Sequence, residues 1–238
     1  MKVGIVTIIY NLDSRIFLLQ MEAIKKFCKD DYTVEIFDNS SNPELAEAIR
    51  YHAAYQNLSY TKTFARDLNG SLSHAWAANF AYQKLKDEYE VFCFFDHDLI
   101  PLRRFSIEKI LGEDKLFAGM PQGKNGVTYF WPGLVAWNNN KVDKDLIDFL
   151  PEENLDTGGK LHYAIEKYGK DSCVFFNEAY YQNRYFNEKL YSHFAMINDS
   201  MFLHCLNSSN WNYIAKHDER INTLCTIIRE KIDANILD

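Results

Sequence analysis

In the first half of the chain, short unbroken apolar runs alternate with stretches whose apolar residues recur at helical spacing. The run 3–9, VGIVTII, is rich in β-branched residues and predicts a strand buried on both faces. Residues 13–28 place apolar side chains at the spacing of an amphipathic helix. YTVEIF (32–37) predicts a second strand, halted by Asp38-Asn39-Ser40-Ser41. Pro43 followed by Glu44 suits a helix start, with Asn42 as its N-cap. LSYTKTF (58–64) predicts a third strand, and residues 71–86 predict a helix after Gly70. EVFCFF (90–95) predicts a fourth strand, nearly all apolar, ending at Asp96-His97-Asp98.

Such alternation predicts an α/β fold whose parallel sheet is covered on both faces. Ligands of these sheets bind beyond the carboxyl ends of the strands. Asp38 and Asp96 each follow a strand directly and so belong to the same edge. The second half is less regular. LFAGMPQ (116–122) and VTYFWPGLVAWN (127–138) read as extended segments around a turn, and 156–168 as a helix. DSCVFF (171–176) and MFLHC (201–205) predict short strands, and 217–233 a closing helix.

Composition narrows the classes. With 238 residues, 47% hydrophobic and 25% charged, the chain fits one large domain or two intimately packed ones with a sizeable core. A net charge of -7 without a Lys/Arg cluster argues against nucleic-acid binding. An acidic chain can still take a phosphate ligand through a divalent cation. The five cysteines are odd in number and form no CxxC pair, which disfavours a zinc site or disulfide framework and points to a reducing, cytoplasmic location. No apolar stretch approaches the ~20 residues of a membrane span, and the N-terminal run is one strand long rather than a signal-peptide core. Only 10 glycines and 5 prolines occur, and no linker or repeat is visible.

Asp96-x-Asp98 is the sharpest chemical feature. In an extended segment residues two apart point the same way, so both carboxylates would face one ligand and His97 would face elsewhere. Paired carboxylates at a strand end suit Mn2+ or Mg2+, which can bridge a pyrophosphate and neutralise a departing diphosphate. The alternative is a solvated acidic turn, which the buried-type strand before it disfavours.

Four segments occur in order: VGIVTIIYN, VEIFDNSSN, LNGSLSHAWAANFAY and FFDHDLIPL. On these the chain resembles GT-A fold glycosyltransferases, closest to the family 2 type, over about the first 105 residues. WPGLVAWN, LDTGG and FLHCLNSSNW extend the resemblance more loosely. The resemblance implies a single Rossmann-like domain over 1–238, with a nucleotide-sugar half (1–105) and an acceptor half (106–238). It implies sugar transfer from a nucleoside-diphosphate sugar to the hydroxyl of a glycan or other acceptor, with inversion. Uridine as the base follows from fold-level analogy alone.

Residue roles follow from the same resemblance. Asp38 would contact the nucleobase or ribose, or else cap a turn. Thr7 and Tyr10 would flank the nucleoside, and Asn69 and Gly70 would lie near the base, where glycine permits close backbone approach. Asp96 would hold the ribose or a metal-bound water, and Asp98 would ligate the metal. His204 would be a third metal ligand, with a structural imidazole as the other reading. Residues 207–211 would close over the pyrophosphate, unless they form an ordinary surface loop. Asp156 would be the general base, or a helix N-cap. Trp131 and Trp137, with Tyr129, would line the acceptor pocket, Pro132-Gly133 making the turn that presents Trp131; core packing is the alternative for each. Asn79 reads as helix packing.

Two further classes compete: a non-catalytic carbohydrate- or nucleotide-binding protein of the same fold, and a sugar-nucleotide pyrophosphorylase. The latter needs a glycine-rich loop after the first strand, where this chain has IIYNLDSR.

Overall fold

A computed structural model describes residues 1–64, 70–180, 194–199, 201–205 and 217–234. The chain runs β1 (Lys2–Ile9), α1 (Ser14–Phe27), β2 (Asp31–Asp38), α2 (Pro43–Tyr55), β3 (Ser59–Lys62), α3 (Gly70–Leu85) and β4 (Val91–Phe95). It continues through β5 (Leu99–Pro101), α4 (Ile107–Leu111), β6 (Phe117–Lys124), β7 (Val127–Asn138), α5 (His162–Tyr168) and β8 (Cys173–Phe175). β9 (Glu178–Tyr180), β10 (Phe194–Ile197), β11 (Phe202–Cys205) and α6 (His217–Ala234) complete it.

Seven strands form the central sheet in the order β3-β2-β1-β4-β7-β6-β8. β3, β2, β1 and β4 are mutually parallel, β7 runs against both β4 and β6, and β8 runs parallel to β6. The continuous apolar strands are explained by cover on both faces. Val3, Ile5, Ile9, Val91, Cys93 and Phe95 join one core with α1 and with Ile221, Leu224 and Ile228 of α6. Val6, Ile8, Phe92 and Phe94 join a second core with Ala75, Ala78 and Tyr82 of α3. Among the described residues no helix is long and apolar enough to cross a membrane.

Helix starts follow their caps. Asp13 accepts from Arg15 N–H ahead of α1, and Asn42 accepts from the Glu44 and Leu45 amides ahead of α2, with Pro43 in the first turn. The helix expected over 156–168 is shorter. A 3-10 turn at Gly159–Leu161 leads into α5 at His162, so Asp156 lies before it rather than at its N-cap.

β6 and β7 form a hairpin around Asn125-Gly126, both at positive φ (55° and 81°), the conformation a two-residue turn of this kind requires. Further along, the pairing slips: Pro121 faces Phe130, but Gly119 faces Val135. Trp131, Pro132, Gly133 and Leu134 therefore stand opposite Met120 alone, a bulge of the kind that re-aims side chains. Pro132-Gly133 belongs to this distorted strand and not to the turn expected from the sequence.

A second sheet, β5-β11-β10-β9, is antiparallel throughout. Its β5 leaves the carboxyl end of β4 after three residues, and it pairs His204 with Leu99. That pairing brings the C-terminal half of the chain to the end of the fourth strand.

Candidate active site

The Asp96–Asp98 segment is a turn, closed by Leu99 N–H donating to Asp96 O at 3.0 Å, and not an extended strand end. Asp96 N–H donates to the Gly133 carbonyl of the bulge at 2.7 Å, and Cys205 N–H to Asp98 O at 2.8 Å. The turn is thus tied to both sheets. It also brings His97 inward. Ligand atoms of Asp96, His97 and Asp98 all lie within 4.8 Å of one another, a grouping that could hold a metal ion. The expectation that His97 faces elsewhere fails because residues in a tight turn do not alternate as they do in a strand.

His97 Nδ1 lies 2.8 Å from the Ile8 carbonyl and 2.9 Å from Asp96 Oδ1. Both neighbours are acceptors, so Nδ1 carries a proton. Burial disfavours the charged imidazole, but Asp96, Asp98 and the Ile8 carbonyl outweigh it and push the His97 pKa up to about 9. For Asp96, burial likewise opposes the charge. The His97 charge and hydrogen bond, with smaller contributions from His74 and His204, hold the carboxyl well below the usual range. His204 Nε2 lies 3.4 Å from Asp98 Oδ1, and burial there is outweighed by Asp98 and Asp96, which raise its pKa. Two carboxylates in a confined site demand positive charge: protonated imidazoles meet that demand without a cation, and a bound cation that takes it over leaves the imidazoles neutral and able to ligate.

The donor set fits a hard divalent cation. It contains two carboxylates on one turn and two imidazoles. Their outer nitrogens, His97 Nε2 and His204 Nδ1, are buried without a hydrogen-bond partner among the described residues. His204 also packs on Trp131, ring centroids 4.5 Å apart. Trp131 in turn lies over Gly133, where a Cβ would come within 2.0 Å of its ring.

Asp156 is exposed and sits at the start of α3 through Ser71 Oγ, which donates to its Oδ1. Thr157 N–H donates to the same oxygen at 2.7 Å, and Thr157 Oγ1 to the Ser71 carbonyl at 2.9 Å. His74, one turn along α3, senses both groups of acids. Burial lowers its pKa, against the opposing pull of Asp96, Asp98 and Asp156.

No protein-family model matches the chain, and no curated protein matches it. Among solved structures it is similar to the mannosyltransferase PcManGT from Pyrobaculum calidifontis in complex with GDP-Man and Mn2+, at 15% identity and a TM-score of 0.49. The match covers 73% of this chain and 54% of that one, so this chain spans about half the length of that protein.

The other expected residues are distributed unevenly. Asp38 is fully buried: its Oδ1 accepts from Ser40 N–H at 2.7 Å and its Oδ2 from Tyr60 O–H at 2.7 Å, with Lys62 Nζ at 3.6 Å. These bonds make Asp38 a cap of the strand end, the alternative role the sequence offered for it. Thr7 is buried on the α1 side of the sheet, its Oγ1 without a described partner, and does not line an open site. Tyr10 is 40% exposed beside Ser41. Gly70 opens α3, and no described atom lies within 4 Å of the place its Cβ would take. Asn69 and residues 207–211 lie outside the described residues.

Trp137 is a correction. It is fully buried, stacked on Phe92 and Phe94 with Tyr82 at its edge, because its position on β7 faces α3. It is core, not acceptor pocket. Tyr129 is buried too, its hydroxyl accepting from Asp156 N–H. Asn79 bonds Asp148 and the Phe149 amide, which is a packing role. Sequence reasoning missed His74, whose only signal was its place one turn after Ser71, and Gln20, a fully buried amide within an apolar helix face.

Proposed function

We propose that the chain is a metal-dependent glycosyltransferase of GT-A type that moves a sugar from a nucleoside-diphosphate donor to an acceptor hydroxyl. The observation that carries this reading is the convergence of Asp96, Asp98, His97 and His204 at the carboxyl end of β4, where parallel α/β sheets bind nucleotides. In this reading Asp96, Asp98 and His204 hold Mn2+ or Mg2+, which neutralises charge on the leaving diphosphate. Tyr10 flanks the nucleoside from the exposed end of β1, and Trp131 offers a flat face to the acceptor beside His204. Asp156 is the base. As the acceptor oxygen bonds the anomeric carbon, its proton passes to Asp156, and the bond to the diphosphate breaks with its electron pair leaving on phosphate oxygen. Both hydrogen bonds described for the Asp156 carboxylate fall on Oδ1, which suits Oδ2 to receive that proton. Displacement of this kind inverts the anomeric centre.

The test is thermal shift with a panel of nucleoside diphosphates, uridine diphosphate first, with Mn2+ or with chelator, followed by assay of donor hydrolysis and transfer. Stabilisation only in the presence of metal, and its loss of about 10-fold or more in affinity in Asp98→Asn, is the expected result. Binding indifferent to chelator would overturn the metal role. Metal-dependent binding with no turnover of any donor would make the chain a binding protein.

A further inference from the structure

Gln20 is fully buried on the inner face of α1, among apolar residues. Its side-chain amide donates to the Asp96 carbonyl at 2.5 Å and to the Leu99 carbonyl at 2.8 Å. These carbonyls belong to the first and last residues of the turn that carries the Asp96 and Asp98 carboxylates. Only the nitrogen of a carboxamide can give two hydrogens to two backbone oxygens without bringing a charge. Because both partners are carbonyls, the orientation of the amide is set by the contacts themselves. Its Oε1 is buried with no described partner. A residue kept for packing alone would be apolar here, as Phe17, Ile24 and Phe27 on the same helix are.

We propose that Gln20 is a positioning residue for the metal-ligating turn, holding its two ends so that the carboxylates converge on one cation. The proposal rests on the metal-dependent reading above. Partners that orient metal ligands from behind raise affinity without touching the ion.

The experiment compares Mn2+ affinity, read as free Mn2+ by electron paramagnetic resonance, in the wild type, Gln20→Met and Ile24→Val. Met keeps the length and volume and removes both donors. Ile24→Val trims the same buried helix face one turn further along without removing a hydrogen-bond donor, and it reports what a packing defect alone does. The expected result is Mn2+ binding weakened about 10-fold or more in Gln20→Met and unchanged in Ile24→Val. Equal affinity in folded Gln20→Met and wild type overturns the positioning role and leaves the proposed function standing. No Mn2+ binding by the wild type overturns both. If Gln20→Met does not fold, nuclear magnetic resonance of the wild type decides. The Gln20 side-chain amide protons should exchange slowly and shift on addition of Mg2+, and fast exchange or no shift overturns the proposal.

Discussion

Gly133 connects three parts of the candidate site. Its carbonyl accepts from Asp96 N–H, its missing Cβ makes room for the Trp131 ring, and that ring packs on His204. Gly133→Ala would put a methyl where ring carbons lie 2.0 to 2.4 Å away, so the indole must move. Overpacking of this kind costs about 1–3 kcal/mol. Urea unfolding should show that loss, and the environment of Trp131 should change in fluorescence. His97 carries a similar lesson. Its neighbours in sequence suggested a bystander, yet its contact with the Ile8 carbonyl across the sheet turns it into the group that keeps Asp96 ionised.

Helices and strands here begin and end where local chemistry directs. Asn42 bonds two amides at the start of α2, and Pro43 needs no bond of its own. Asn42→Ala should lower stability by about 1 kcal/mol, measured by denaturant midpoint, with metal affinity untouched because the described hydrogen bonds of the Asn42 side chain stay within the start of α2. The hydrophobic pattern placed β1, β2, β4, α1 and α3 to within a residue at each end, because strands buried on both faces read as apolar runs; β3 is shorter than its apolar run, and only the start of α2 was legible, from its cap. The start of α5 was misplaced because Asp156-Thr157-Gly158-Gly159 looks like a cap. Gly158 instead takes φ +84°, and its missing Cβ clears the Phe130 carbonyl. The β7 bulge carries no local signal, since it depends on β6 supplying only Met120 opposite four residues.

Across the whole molecule, α6 closes one face of the sheet, and two kinds of contact hold it. Arg15 bridges Asp13 and Asp218 at 2.8 Å each, but Asp218 is 79% exposed. Pairs so exposed contribute about 0–1 kcal/mol. Leu224 is fully buried, and its truncation costs about 2–5 kcal/mol. Burial therefore holds the helix: Arg15→Ala should barely shift the melting temperature, and Leu224→Ala should lower it by several degrees. Acid sensitivity has a separate source. Burial of Asp148 opposes its charge, but the Leu150 amide, Asn79 and Lys160 more than offset this and depress its pKa. A carboxyl depressed by folding contributes stability above its ordinary value and loses it as pH falls through the folded value. Between about pH 5 and pH 3 the wild type should lose more stability than Asp148→Asn, measured by unfolding at each pH.

The order of β1 through β4 with the helices between them, the cover on both faces of their sheet and the abrupt acids after β4 were written in local pattern, because burial on both faces and abrupt polarity leave marks within a few residues. Partners were not. Asp38 spends both oxygens on Ser40 and Tyr60, Trp137 turns inward, and His204 reaches Asp98 through a pairing with β5. Each depends on residues far apart in the chain meeting in space. Adjacency in sequence sets which way a backbone runs, whereas only packing decides what a side chain touches.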